Sequence, residues 1–214
     1  MCASTATGSR SARAHFAGSP RGGDVQQIKG AVLKSRLAFV EEHGGADGLH
    51  RVLDALPEED RHALRALLTV QWYPFDLGRR LDDAIVGVLG AGRQEFFLRL
   101  GEASADRNLG TIHKTFLVPG NPHAFLAKAP QIYALYYETG RRDYQRSGDT
   151  SGVLTTHDAD AFSVPDCLTV VGWHRRALEL CGATEVRVVE EECRAKGGAV
   201  CRYRVSWAAP ALAS

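Results

Sequence analysis

The sequence predicts an α+β fold, N-terminal helices packed on a mostly antiparallel sheet, and three observations carry that prediction. From Asp24 to about Leu117 apolar residues recur at helical spacing, with Gly and Pro as punctuation. After "VPGNPHAFLAKAP" that periodicity gives way to aromatic and β-branched residues in short runs. The stretch "TEVRVVEEECRAKGGAVCRYRVSW" then reads as two strands joined across a Gly-Gly turn. Helices followed by strands, rather than alternation of the two, is the α+β pattern. No internal repeat or long linker divides the chain. The expectation is therefore one ligand-binding-type domain over 24–208, a disordered tail at 1–23 and a short tail at 209–214.

Taken in order, "DVQQIKGAVLKSRLAFVEEHGG" places Ile28, Val32, Leu33, Leu37 and Val40 on one face, with Gly44-Gly45 as a stop. "ADGLHRVLDALP" is a second helix closed by Pro57, and "EEDRHALRALLTV" a third with acids in its first turn, where the helix dipole favours them. A fourth restarts after Pro74 and runs to Gly90. "QEFFLRLGEASADRNLGTIHKTFL" continues helical with a break expected near Gly101. "QIYALYYETG" fits a strand or a short helix, and "SGVLTTHDADAF" contains a short strand. "DCLTVVGWHRRALELCG" is a helix with Asp166 as N-cap and Gly182 at its C-terminal cap.

Composition excludes several classes. Of 214 residues 44% are hydrophobic and 24% charged, ordinary for a soluble domain. A net charge of +1 offers no basic stripe for nucleic acid. No run approaches the roughly 18 apolar residues of a membrane span. Five cysteines, an odd number in a mid-sized chain, point to a reducing, cytoplasmic setting. There, paired thiols serve metals more often than disulfides. No nucleophile elbow, dinucleotide fingerprint or open metal site is present, so no catalytic activity is expected.

The hairpin carries the strongest chemical signal. Cys201, Tyr203, Val205 and Trp207 share one face of its second strand, and Val186, Val188 and Glu190 one face of its first. Cys193 has the wrong parity to join them unless a β-bulge inserts one residue near Glu191 or Glu192. With that bulge Glu190, Cys193 and Cys201 converge, and Cys167 in the preceding helix can approach. Three thiolates and a carboxylate would close a tetrahedral zinc site. The other reading is that buried cysteines act as small hydrophobes.

The segment "PDCLTVVGWHRRALELCGATEVRVVEEECRAKGGAVCRYRVSW" resembles the C-terminal half of the 4-vinyl-reductase-type domain, also the sensor of aromatic-responsive bacterial transcription activators. That resemblance implies a structural zinc held by Cys167, Glu190, Cys193 and Cys201, with Cys181 as a packing residue. The "WYPF" block and the Cys-rich ending also resemble an uncharacterised myxobacterial paralogous family. The N-terminal half, in "YPFDLGRRLDDAI" and "FFLRLGEASADRNLGTIHKTF", resembles the helical part of haem-NO-binding domains, which share a superfamily fold with TRAPP transport-complex subunits. His113 would stand as the proximal haem ligand. That family's Tyr-x-Ser-x-Arg motif, which holds haem propionates, meets only "LYYETGRRDY" here, with Tyr136 and Tyr137 but no Ser, and with Arg141 displaced from the required register. Haem is therefore not expected.

The expected function is a non-catalytic regulatory module that binds a small aromatic or acyl molecule, is stapled by zinc, and signals through a partner protein or a homodimer. Its pocket is expected between helices and sheet, lined by some of Trp72, Phe97, Tyr133 and Tyr137. A haem gas sensor using His113 and a structural adaptor with a filled core are the alternatives.

Overall fold

The computed structural model describes residues 26–111 and 113–208; the expected tails at 1–23 (with Cys2) and 209–214 lie outside the described residues. A three-residue strand, β1 (Gln27–Lys29), replaces the first turn of the expected opening helix. It pairs antiparallel with β2 (Trp72–Pro74), Ile28 opposite Tyr73. An apolar residue at Ile28 suits either period, and pairing with a distant strand decides the outcome. Helix α1 (Gly30–Asp54) spans both of the first two expected helices. It is broken at Gly45, whose φ of 62° and ψ of −165° no helix accommodates.

Helix α2 (Glu58–Arg65) begins after Pro57 with Glu58, Glu59 and Asp60 in its first turn. Helix α3 (Phe75–Leu89) begins directly after Pro74, whose missing N–H costs nothing at a helix start. Two ion pairs tie these helices together: Arg80 grips Asp60 with two bonds of 2.6 and 2.8 Å, and the buried Arg36 donates to Asp82 at 2.7 Å.

Helix α4 (Glu95–Gly110) runs unbroken through Gly101, contrary to expectation. The reason is packing. A Cβ at Gly101 would come within 2.0 Å of the Thr169 carbonyl oxygen on α7 (Val164–Leu180), and one at Gly172 of α7 would come within 2.0 Å of the Leu98 carbonyl oxygen. Glycine here permits the two backbones to touch rather than ending a helix.

Two short helices precede α7: α5 (Pro122–Leu126), capped by Asn121, and α6 (Ala129–Tyr136), which settles "QIYALY" as helix. Strand β3 (Arg141–Gly148) has no counterpart among the expected elements, because "RRDYQRSG" shows no apolar alternation. It is an edge strand, where charge keeps other chains from pairing. With β4 (Ser151–His157), β5 (Arg187–Glu192) and β6 (Cys201–Ser206) it forms an antiparallel sheet in the order β3-β4-β6-β5. The cap of α7 is Ser163, whose hydroxyl accepts from the Asp166 N–H at 3.1 Å. Asp166, expected as the cap, lies in the first turn instead.

Two apolar clusters result. One, with Leu33, Phe39, Leu81 and Phe97, fills the helical half. The other, with Phe125, Trp173, Leu178, Tyr203 and Val205, lies between α4, α6, α7 and the sheet. Among the described residues no helix is long and apolar enough to cross a membrane.

Candidate functional site

The hairpin of β5 and β6 builds the first of two neighbouring groups of side chains. Register along β5 slips between Glu190 and Glu192, opposite Tyr203 and Arg202. The extra residue, Glu191, brings Cys193 round to the buried side. The Sγ atoms of Cys167, Cys193 and Cys201 then lie within 4.8 Å of one another, all three residues buried. Cys193 and Cys167 are 3.5 Å apart and Cys167 and Cys201 3.8 Å, far beyond a disulfide bond. An edge of a tetrahedron with metal–sulfur bonds of about 2.3 Å is about 3.8 Å long. The Arg194 N–H donates to the Cys201 sulfur at 3.4 Å.

Charge in the cluster is distributed unevenly. The bond between Cys167 and Cys201 lowers the Cys201 pKa to about 6, and the same bond, with burial, raises that of Cys167. Burial raises Cys193, with the Glu190 carboxylate adding to the shift. Glu190 accepts from the Lys196 ammonium through Oε2 at 2.7 Å, while its buried Oε1 has no partner. Orphaned buried carboxylate oxygens are costly, and Glu190 acts on the Cys193 thiol, although among the described residues its carboxylate falls outside the group of three sulfurs that meet within 4.8 Å. Cys181, at the end of α7, is buried outside this cluster.

The second group surrounds a cavity between α4, α6, α7 and β3, with about 600 Å³ of unfilled space counting its mouth. Phe125, Leu126, Ile132, Val170 and Trp173 give it apolar walls. Into these walls are set Asn108, Tyr136, Arg142 and His174. Tyr133 and Tyr137 also line it. The Tyr133 hydroxyl donates to the Thr139 carbonyl at 2.9 Å and that of Tyr137 to Asp166 at 2.8 Å. Burial raises the Asp166 pKa to about 6. Among the described residues the buried Tyr136 hydroxyl makes no well-formed hydrogen bond, though the Asn108 side chain is near enough to act on it.

Trp72 and Phe97, the other two expected lining residues, lie elsewhere. Trp72 sits in the small β1–β2 sheet under the Lys29 ammonium, 3.9 Å from its ring centroid, and Phe97 packs in the core of the helical half. Aromatic content alone does not separate core from cavity.

Two histidines are near enough to matter. His113 follows the end of α4, half-buried, with its ring 5.5 Å from that of Tyr136 and 5.8 Å from that of Phe116. Burial lowers its pKa. His174, on α7, lines the cavity itself. Its Nδ1 lies 2.9 Å from the Val170 carbonyl oxygen. Burial lowers its pKa to about 3, so the ring is neutral. A neutral imidazole with Nδ1 tied to a carbonyl presents Nε2 as a lone-pair donor.

No family model and no curated protein matches the chain. Solved structures do. An Fe(II) unliganded H-NOX protein from K. algicida, in a single-substitution mutant form, superposes with a TM-score of 0.65 at 12% identity, over 86% of this chain and 98% of that one. An H-NOX protein from S. oneidensis in the Fe(II)NO ligation state gives 0.63 at 13% identity, over 85% and 99%. An oxygen-binding H-NOX domain related to soluble guanylate cyclases, in its oxygen complex, gives 0.63 at 12%, over 87% and 98%. The fold is that of the haem-NO-binding class. These neighbours bear on the haem-NO-binding resemblance and not on the 4-vinyl-reductase or myxobacterial ones. They also overturn the expectation that haem is absent, since they include H-NOX structures made to probe haem distortion.

That expectation gives the missing serine too much weight and wrongly takes Arg141 as out of register. Tyr137, Thr139 and Arg141 keep the tyrosine–hydroxyl–arginine spacing, with threonine as the hydroxyl residue. In the structure Arg141 faces solvent and pairs with Asp143 at 2.6 Å, while Arg142 points inward. The chemistry of the cavity fits haem: apolar walls, the neutral imidazole of His174 and an interior cation. The enclosed volume of the cavity is only about 50 Å³, smaller than a porphyrin.

Proposed function

We propose that this chain is a non-catalytic sensory domain that holds haem in its interior cavity and reports a bound diatomic gas to a partner protein or to a second copy of itself. The observation that supports it best is an apolar cavity carrying a neutral, carbonyl-tethered imidazole inside an H-NOX-type fold. Bound haem would supply an iron centre to which a small gas binds reversibly. The chain's own contribution is to present His113 or His174 as a nitrogen ligand and to exclude water through Phe125, Leu126 and Trp173. Burial keeps both imidazoles unprotonated, the form that binds a metal.

The test is reconstitution of the purified chain with haem. A Soret band at about one haem per chain, lost or shifted in either His113→Ala or His174→Ala, is the expected result. A flat spectrum after reconstitution would sink the reading.

A second site is supported by the orphaned Glu190 oxygen: Cys167, Cys193, Cys201 and Glu190 bind a structural zinc that staples the β5–β6 hairpin to α7. Four protein ligands leave no open position, so this metal would hold structure rather than catalyse. Elemental analysis showing about one zinc per chain supports it, and well under half would remove it.

A further inference from the structure

Arg142 is only 6% exposed, yet among the described residues no carboxylate pairs with it. The other buried arginine, Arg36, has Asp82 as its partner. The Nε of Arg142 donates to the Thr156 hydroxyl at 2.9 Å, and its guanidinium carbon lies 4.9 Å from the Tyr133 ring centroid and 5.8 Å from that of Tyr203. Among the described residues its outer nitrogens make no hydrogen bond, and the side chain lines the cavity. Asp166 is near enough for the two charges to act on each other, but its Oδ1 accepts from Tyr137. A buried cation without a hydrogen-bonded counter-charge is strongly unfavourable. Among the described residues the Tyr136 hydroxyl makes no well-formed hydrogen bond in the same cavity, with Asn108 its nearby polar side chain.

We propose that this cavity recognises a carboxylate carried on an apolar body. The two outer nitrogens of Arg142 form a planar fork suited to both carboxylate oxygens. Phe125, Leu126, Ile132, Val170 and Trp173 receive the body, and the Tyr136 hydroxyl and His174 Nε2 remain for further polar atoms of the guest. The inference rests on the cavity and not on haem. A free organic acid and the propionate of a porphyrin are two sources of the same chemistry.

The experiment compares acids with their neutral esters on the full chain by calorimetry and thermal shift. The probes are phenylacetate and decanoate against their methyl esters, and protoporphyrin IX against its dimethyl ester. For phenylacetate or decanoate the acid should bind roughly ten- to a hundredfold tighter than its ester, the range of a charge-assisted bond. Arg142→Gln should abolish that preference and Arg142→Lys keep part of it. The acid–ester comparison on the unaltered chain stands even if these variants fold poorly.

Preference for free acids alone supports the inference and assigns it to small molecules, whatever the haem test shows. Preference for the porphyrin acid alone overturns it, because that contact is the propionate subsite the haem-NO-binding resemblance already implies. Acids and esters binding alike, or no probe binding at all, overturns it, even where a Soret band forms. So does loss of zinc from Arg142→Gln without any acid preference, which would make the Cys201 anion the counter-charge.

Discussion

At the scale of single residues, burial decides protonation. His174 keeps a pKa near 3 inside the fold, against an ordinary 6.5 when exposed. Its neighbour Arg142 adds to the shift, and the Val170 carbonyl opposes it. Between those values the unfolded chain takes up a proton that the folded chain refuses. Stability is therefore full above about pH 6.5 and is lost as pH falls toward 3, by on the order of 5 kcal/mol. His174→Gln should flatten that dependence. Urea titrations at pH 7 and 4.5 measure it, and an equally steep loss in the variant would show that other groups carry it.

Residues differ in how far sequence reveals them. Cys167, Cys193 and Cys201 stand out because few residue types recur at such spacing around a turn. Arg142 does not, since one arginine in "GRRDYQRSG" looks like any solvated edge charge, and only the pairing of β3 with β4 turns it inward. His174 follows a tryptophan on an amphipathic helix, with nothing local to mark it.

Among the elements, the β5–β6 hairpin shows a single inserted residue redirecting chemistry. Without the slip at Glu191, Cys193 would face solvent, as strict alternation dictates. Cys193→Ser should lower zinc content to near background and cost several kcal/mol, because metal binding is coupled to folding. Inductively coupled plasma analysis with thermal melts reads both; unchanged stability in the serine variant would leave the thiols as packing residues. In the helical half, Arg36→Met should cost about 3–5 kcal/mol by leaving Asp82 buried and unpaired. Replacing both members, Arg36→Met with Asp82→Leu, should recover most of it. Burial already raises the Asp82 pKa, and Arg36 opposes that shift. A denaturation series on the two variants tests this.

For the whole molecule, the order of helices then sheet is readable from periodicity, because each long helix carries its own apolar face. What periodicity misses depends on distant partners: β1 forms because β2 is there to receive it, and α4 passes through Gly101 because α7 lies against it. Of the four aromatics expected around a cavity between helices and sheet, Trp72 and Phe97 belong to other layers. The expectation about haem turned on a missing serine and on an Arg141 read as out of register. No arrangement of local signals shows which tyrosine hydroxyl lacks a partner, since that is a property of the packed interior.

The crossing at Gly101 and Gly172 has a mechanical consequence. Two helices whose backbones meet without intervening side chains have no ridges to slide over one another. Relative motion of α4 and α7 is then confined to rocking about that point, as on a pivot. Cys167 stands on α7 at one side of it and His174 at the other. A tilt of α7 about that point would carry Cys167 and His174 in opposite directions, so the two groups of residues share one helix as their lever.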